Sequence, residues 1–253
     1  MKFTRLAVIL LPIFIWLLSQ AYFIWPELFY ISVGVSVILI IALTFFLKTP
    51  ERTVPWWTVA ILPVSFLVSM AVYISLQTNG IFIQILFLAL AIFLFDYFKN
   101  LYYFWNRPEL FKEENYSTIR AYGSLLVVFF AAADLYGLQS LLSLTVWPIF
   151  LLVIAVIIAV AYLNLNLEVS DKKTTWQFTL LTSWMITEMA WVFIFLPLNY
   201  NVSALSIGIV YYLLINLARL YLQKALTSKK IKLYLILSYT GLAVLLFTAR
   251  WLN

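Results

Sequence analysis

The chain has 253 residues, 65% of them hydrophobic and 10% charged, with a formal net charge of +6 and a mean hydropathy of +1.03. A water-soluble domain is about 45–50% apolar and about 25% charged, and the strands of a membrane β-barrel alternate polar with apolar residues. The composition therefore excludes a soluble enzyme, a disordered chain and a β-barrel, and predicts an all-α fold: a polytopic transmembrane helical bundle forming one integral membrane domain over 1-253.

A crossing helix needs about 20 mainly apolar residues. Nine segments qualify: 6–24, 28–47, 56–76, 81–98, 119–138, 141–163, 175–197, 203–222 and 231–250. The first follows Lys2 and Arg5, and its apolar run continues through Ile24, longer than a signal-peptide core, so it reads as a retained helix. The second ends at Lys48 and Arg52. The third opens on Trp56-Trp57, holds Pro63 as a kink, and gives way at Thr78-Asn79-Gly80 to the fourth, which ends at Lys99. Residues 99–118 form the one long loop, with Arg107, Lys112 and, just beyond, Arg120. Pro108-Glu109-Leu110-Phe111 suggests a short interfacial helix whose Phe104, Trp105, Leu110 and Phe111 dip into the headgroups; a solvated linker fits as well. The fifth span carries Asp134 near its outer end, where hydration would accommodate it. Pro148 is a second candidate kink, in the sixth. Lys172 and Lys173 precede the seventh, which carries Glu188 and ends at Pro197. The eighth carries Tyr212, Asn216 and Arg219, and a basic run from Lys224 to Lys232 leads into the ninth, which ends at Arg250.

The connections alternate in charge. Trp25-Pro26-Glu27, Thr78-Asn79-Gly80, Gln139-Ser140 and Asn199-Tyr200-Asn201 hold no Lys or Arg, whereas the N-terminus and every even-numbered loop do. By the positive-inside rule the N-terminus is cytoplasmic and the C-terminus outside, with Arg250 the dissenting cation. Trp25, Trp56, Trp57, Tyr102, Tyr103, Trp105 and Trp251 fall at span ends as interfacial anchors.

A shift of 120 residues aligns Glu51-Arg52 with Asp171-Lys172, Trp56 with Trp176, Asn79 with Asn199, Asp96 with Asn216 and Lys99 with Arg219. This suggests a weak tandem repeat, 1-115 and 116-235, plus a final span 231-250, an organisation known in transporters. Two hydrophobic hairpins with basic inner ends also match by chance at some shift.

The absence of Cys and His excludes disulfides, thiol nucleophiles, Cys/His metal sites and an imidazole base. Without paired acidic residues at helical spacing or a Gly-rich phosphate loop, no metal, cofactor or catalytic residue is expected. The cations flank the spans, so topology accounts for them without a nucleic-acid partner. Ionisable groups at membrane depth usually face the bundle interior. Glu188, Tyr212, Asn216 and Arg219 are the candidate ligand-binding residues on that ground, with Glu188 expected to be shielded from lipid. The bland alternative is a structural ion pair of Glu188 with Arg250. Arg219 has its own bland alternative, snorkelling to the cytoplasmic surface.

The segments Glu188-Met189-Ala190-Trp191, Phe195-Leu196-Pro197, Tyr211-Tyr212, Arg219 and Thr248-Ala249-Arg250-Trp251 resemble uncharacterised multi-pass membrane proteins of candidate-phyla bacteria, over about residues 175–253. That resemblance implies a bacterial inner (plasma) membrane and no activity. The leading expectation is non-enzymatic binding or transport of a small or lipidic ligand, with membrane lipids as partners. One alternative is a lipid-processing transferase working through Asp96 or Asp134. Another is a scaffold packed against other membrane subunits.

Overall fold

The computed structural model describes residues 2–48, 55–143, 145–166 and 172–249. It is helical throughout, without strands among the described residues: α1 (Lys2–Ser19), α2 (Ala21–Ile24), α3 (Pro26–Leu47), α4 (Trp56–Ser75), α5 (Gly80–Asn106), α6 (Glu113–Leu142), α7 (Val146–Asn166), α8 (Lys172–Ile194), α9 (Tyr200–Leu222) and α10 (Ser228–Thr248). Eight of these segments, α1 and α2 counting as one, are long and apolar enough to cross a membrane. The chain is a multi-pass helical membrane protein. At 23 residues α8 is as long as its neighbours, about 34 Å by helical rise, but falls short in apolarity.

Local chemistry sets the helix ends. The Asn79 side chain accepts hydrogen bonds from the backbone N–H groups of Ile81 and Phe82 (3.0 and 3.2 Å), capping α5. Asn199 caps α9 in the same way, accepting from Asn201 N at 2.9 Å. Pro26 starts α3, where its missing N–H costs nothing. Pro148 sits in the first turn of α7 for the same reason, so the kink expected there is replaced by a helix start. Pro63 lies inside α4.

The long loop is shorter than the hydropathy pattern suggests. α5 continues to Asn106 and α6 starts at Glu113, leaving a single 3₁₀ turn, Pro108–Leu110, where an interfacial helix was one expectation. Trp105 is buried rather than dipping into headgroups, and Phe104 stacks on Tyr116. At the other end α6 runs through Gln139-Ser140, the expected turn.

The chain forms two compact units, Met1–Gly123 and Ser124–Asn253, the boundary falling within α6. In the N-terminal unit α5 packs against α1, α3 and α4, and α3 against α1, α2 and α4, around Phe66, Phe87, Leu94, Tyr97 and Phe98. Gln84 on α5 donates to Gln20, between α1 and α2, at 2.8 Å. In the C-terminal unit α7, α8 and α9 pack pairwise and α10 lies against α9. The Tyr136 hydroxyl donates to the Ala190 carbonyl at 2.9 Å, joining α6 to α8.

The two units share a register at the 120-residue offset. α3 and α7 begin at Pro26 and Val146, and α5 and α9 at Gly80 and Tyr200, each pair preceded by the corresponding element boundary. Buried positions coincide as well: Val59 with Thr179, Leu62 with Thr182, Pro63 with Ser183, Phe66 with Ile186, Met70 with Ala190 and Tyr73 with Phe193. On the next helix Ile83 matches Ser203, Leu86 matches Ser206 and Phe87 matches Ile207. Glu51, Arg52 and Asp171, which also align in the sequence, lie outside the described residues.

Candidate functional site

The aligned positions differ in chemistry. Where α4 buries Val59, Leu62 and Pro63, α8 buries Thr179, Thr182 and Ser183, with Thr175 one turn earlier. This hydroxyl stripe adds to Gln177, Glu188 and the opening Lys172-Lys173 pair in leaving α8 short of the apolarity of a membrane span. Thr179 donates to the Thr175 carbonyl at 2.8 Å and Thr182 to the Phe178 carbonyl at 2.7 Å, so two hydroxyls are satisfied within the helix. The Ser183 hydroxyl is buried and has no hydrogen-bond partner among the described residues. Across the unit, the Asn164 amide on α7 donates to the Tyr211 hydroxyl on α9 at 2.9 Å and to its own Val160 carbonyl at 3.1 Å. α9 adds buried Ser203 and Ser206. The interior of the C-terminal unit is thus lined by small hydroxyls and one amide–phenol pair. The N-terminal unit buries hydroxyls too, Ser32, Ser36 and Thr44 on α3 and Thr58 and Ser69 on α4, but has aliphatic side chains at the positions that match the α8 stripe.

The residues singled out in the sequence lie elsewhere. Glu188 faces outward, not into the bundle, because the buried face of α8 runs through Ser183, Ile186 and Ala190. Its carboxylate accepts a 2.7 Å hydrogen bond from the indole N–H of Trp184, one turn back on the same exposed face. The expected shielding of Glu188 is therefore corrected: its cover is one indole. Arg250, its expected ion-pair partner, lies outside the described residues. Tyr212, Asn216 and Arg219 are half-buried on α9. Asn216 donates to the Tyr212 carbonyl at 2.7 Å, and the Tyr212 ring lies 5.9 Å from that of Tyr234 on α10. The structure brings Tyr212 and Asn216 together on the side of α9 that meets α10, and joins Glu188 to neither.

Comparisons with protein-family models, curated proteins and solved structures find no match. The chemistry of the site is accordingly read from this chain's own residues.

Two buried charged side chains belong with that reading, and hydropathy alone undervalues both. Asp134 retains 7% of its accessible surface, and its Oδ1 has no hydrogen-bond partner among the described residues; like Ala131, Ala132 and Ala133 before it, it is buried rather than hydrated at an interface. Arg120, which reads in the sequence as a loop cation, retains 5% because α6 starts at Glu113 and carries it into the helix. Its guanidinium lies 5.4 Å from the centre of the Tyr116 ring, and the Tyr116 ring lies 6.0 Å from that of Tyr97. Asp96 is half-buried on α5. Among the described residues no group of three acidic side chains is placed to hold a metal ion. A separate groove of about 520 Å³ in the C-terminal unit is lined by Thr174, Tyr221, Leu222, Lys224 and Leu226.

Proposed function

We propose that the chain is a nine-span protein of a bacterial plasma membrane, N-terminus cytoplasmic, that binds or moves a small or lipidic ligand along the polar interior of its C-terminal unit. The observation that carries this reading is the continuous buried hydroxyl stripe of α8, Thr175, Thr179, Thr182 and Ser183, joined by Ser203 and Ser206 of α9, at positions where the register-matched α4 and α5 carry Val59, Leu62, Pro63, Ile83 and Leu86. Hydroxyls at membrane depth are useful where they meet one another, a ligand or water, and parallel helical repeats are a recurrent transporter architecture. The coincident starts of α3 with α7 and of α5 with α9 support a weak tandem organisation, 1-115 and 116-235, with α10 as the added span. The alternating charge of the connections supports α8 as a crossing helix despite its polarity, since otherwise Lys224 to Lys232 would lie outside. The C-terminal resemblance to bacterial membrane proteins supports the bacterial setting.

Because the chain has no native cysteine, single cysteines at Thr179, Thr182 and Ser183 test the reading directly. Modification of these positions by a small water-soluble thiol reagent in the folded protein, with a cysteine at Leu62 unreactive, is the result expected of a ligand path. Uniform inertness at all four identifies a packed scaffold instead.

A further inference from the structure

We infer that Arg120 anchors an oxyanion site in the N-terminal unit, near the first turns of α6, which receives a carboxylate or phosphate group. A guanidinium stays charged at any physiological pH, so burial cannot be relieved by losing a proton. Arg120 is 5% exposed, and among the described residues it has neither an ion pair nor a hydrogen bond. Its Nε is sealed from solvent and has no hydrogen-bond partner among the described residues. The Tyr116 ring face at 5.4 Å offsets part of the cost of taking the charge out of water, but a ring offers no oxygen to the N–H donors. The Tyr97 hydroxyl is committed to the Val59 carbonyl at 2.6 Å, which holds the aromatic wall in place.

Gly123, one turn after Arg120, allows the close approach that seats α6 here. A Cβ at that position would lie 2.5 Å from Phe93, whose ring stacks on Phe66 and Tyr97. The result is a cation held rigidly among aromatic rings, with no acid beside it among the described residues, an arrangement completed by an external anion with two oxygens for the guanidinium fork. Seven residues separate Arg120 from the start of α6, about 10 Å by helical rise, so the anion comes from the aqueous side at that helix end. That anion is either a small solute or the headgroup of an acidic lipid, and the chemistry at Arg120 is the same.

The full chain, purified in detergent, is melted in increasing inorganic phosphate or succinate, and in parallel in nanodiscs of neutral phosphatidylcholine or acidic phosphatidylglycerol. The wild-type melting temperature is expected to rise by several degrees in one arm. Arg120→Gln should lose that rise, with affinity at least about tenfold lower, and Arg120→Lys, which keeps the charge without the fork, should fold and retain part of it. A rise with soluble anions assigns the site to a small solute; a rise confined to the acidic nanodisc assigns it to a lipid headgroup. Absence of an Arg120-dependent shift in both arms overturns the inference and leaves a structural arginine. Binding is read here without flux, so its failure leaves the proposed ligand path in the C-terminal unit untouched, and the reverse.

Discussion

Asn164 and Tyr211 form a buried side-chain hydrogen bond of 2.9 Å that ties α7 to α9 inside the C-terminal unit. Such bonds between membrane helices contribute about 0.6 kcal/mol on average and up to about 1.7. Tyr211→Phe leaves the ring packing intact and is expected to lower stability by about that amount. Asn164→Leu together with Tyr211→Phe should cost less than the sum of the singles, read by thermal melts of the four variants. Additive costs would show that the two groups act independently.

Glycines provide a paired test of packing. Gly123→Ala pushes a methyl group into Phe93, which is flanked by Phe66 at 4.3 Å and Tyr97 at 5.9 Å and has little room to move. A loss of about 1–3 kcal/mol is expected. Gly34→Ala, where a Cβ would meet nothing within 4 Å, should instead gain about 0.5–1 kcal/mol from helix propensity. Equal effects at the two sites would contradict the close approach of α6 to α5.

For topology, single cysteines at Asn79 and Asn199 should label with a membrane-impermeant reagent from outside intact cells, and one at Lys112 should not. Asn199 is the decisive position. If α8 fails to cross, Asn199 changes sides while Asn79 does not.

Glu188→Gln should move the melting temperature by no more than a degree or two, because the carboxylate is outward-facing and its partner is a single exposed indole. Combined with Arg250→Gln, the effect should be additive. A large loss from Glu188→Gln alone, rescued in the double variant, would restore the ion pair expected from the sequence.

Hydropathy made the number of long helices legible, because it reports where the chain stays out of water, but not their ends: α5 runs on to Asn106 and α6 starts at Glu113, beyond the expected 81–98 and 119–138. Asn79 and Asn199 also stood out as connections, and both proved to be helix caps. Which side of a helix faces inward was not legible: α3 is apolar on all sides, so its sequence carries little trace of its buried face. Glu188 was overvalued because ionisable groups usually turn inward, while the Trp184 indole lets this one remain outside. Arg120 was undervalued for a matter of register. The predicted fifth span starts at 119 and leaves Arg120 at the water boundary, whereas α6 starts at Glu113, where Glu113 and Glu114 suit a helix N-terminus. The hydroxyl stripe was visible as residues but not as a site, since Thr and Ser gain meaning only once their common face is known to be buried.

The polarity of α8 also bears on how the chain is made. Its hydroxyls and Glu188 leave it poorly suited to partition into lipid as an isolated segment during synthesis. If α8 crosses, as proposed, its insertion draws on neighbours that can cover the stripe: α7, already in place, and α9, which emerges afterwards. On the nine-span reading, a nascent chain cut before Tyr200 would lack half of that cover, and α8 would settle in the membrane only once α9 had been translated. On that reading the membrane integration of this helix would be cooperative, its timing set by the same Thr and Ser residues that line the interior.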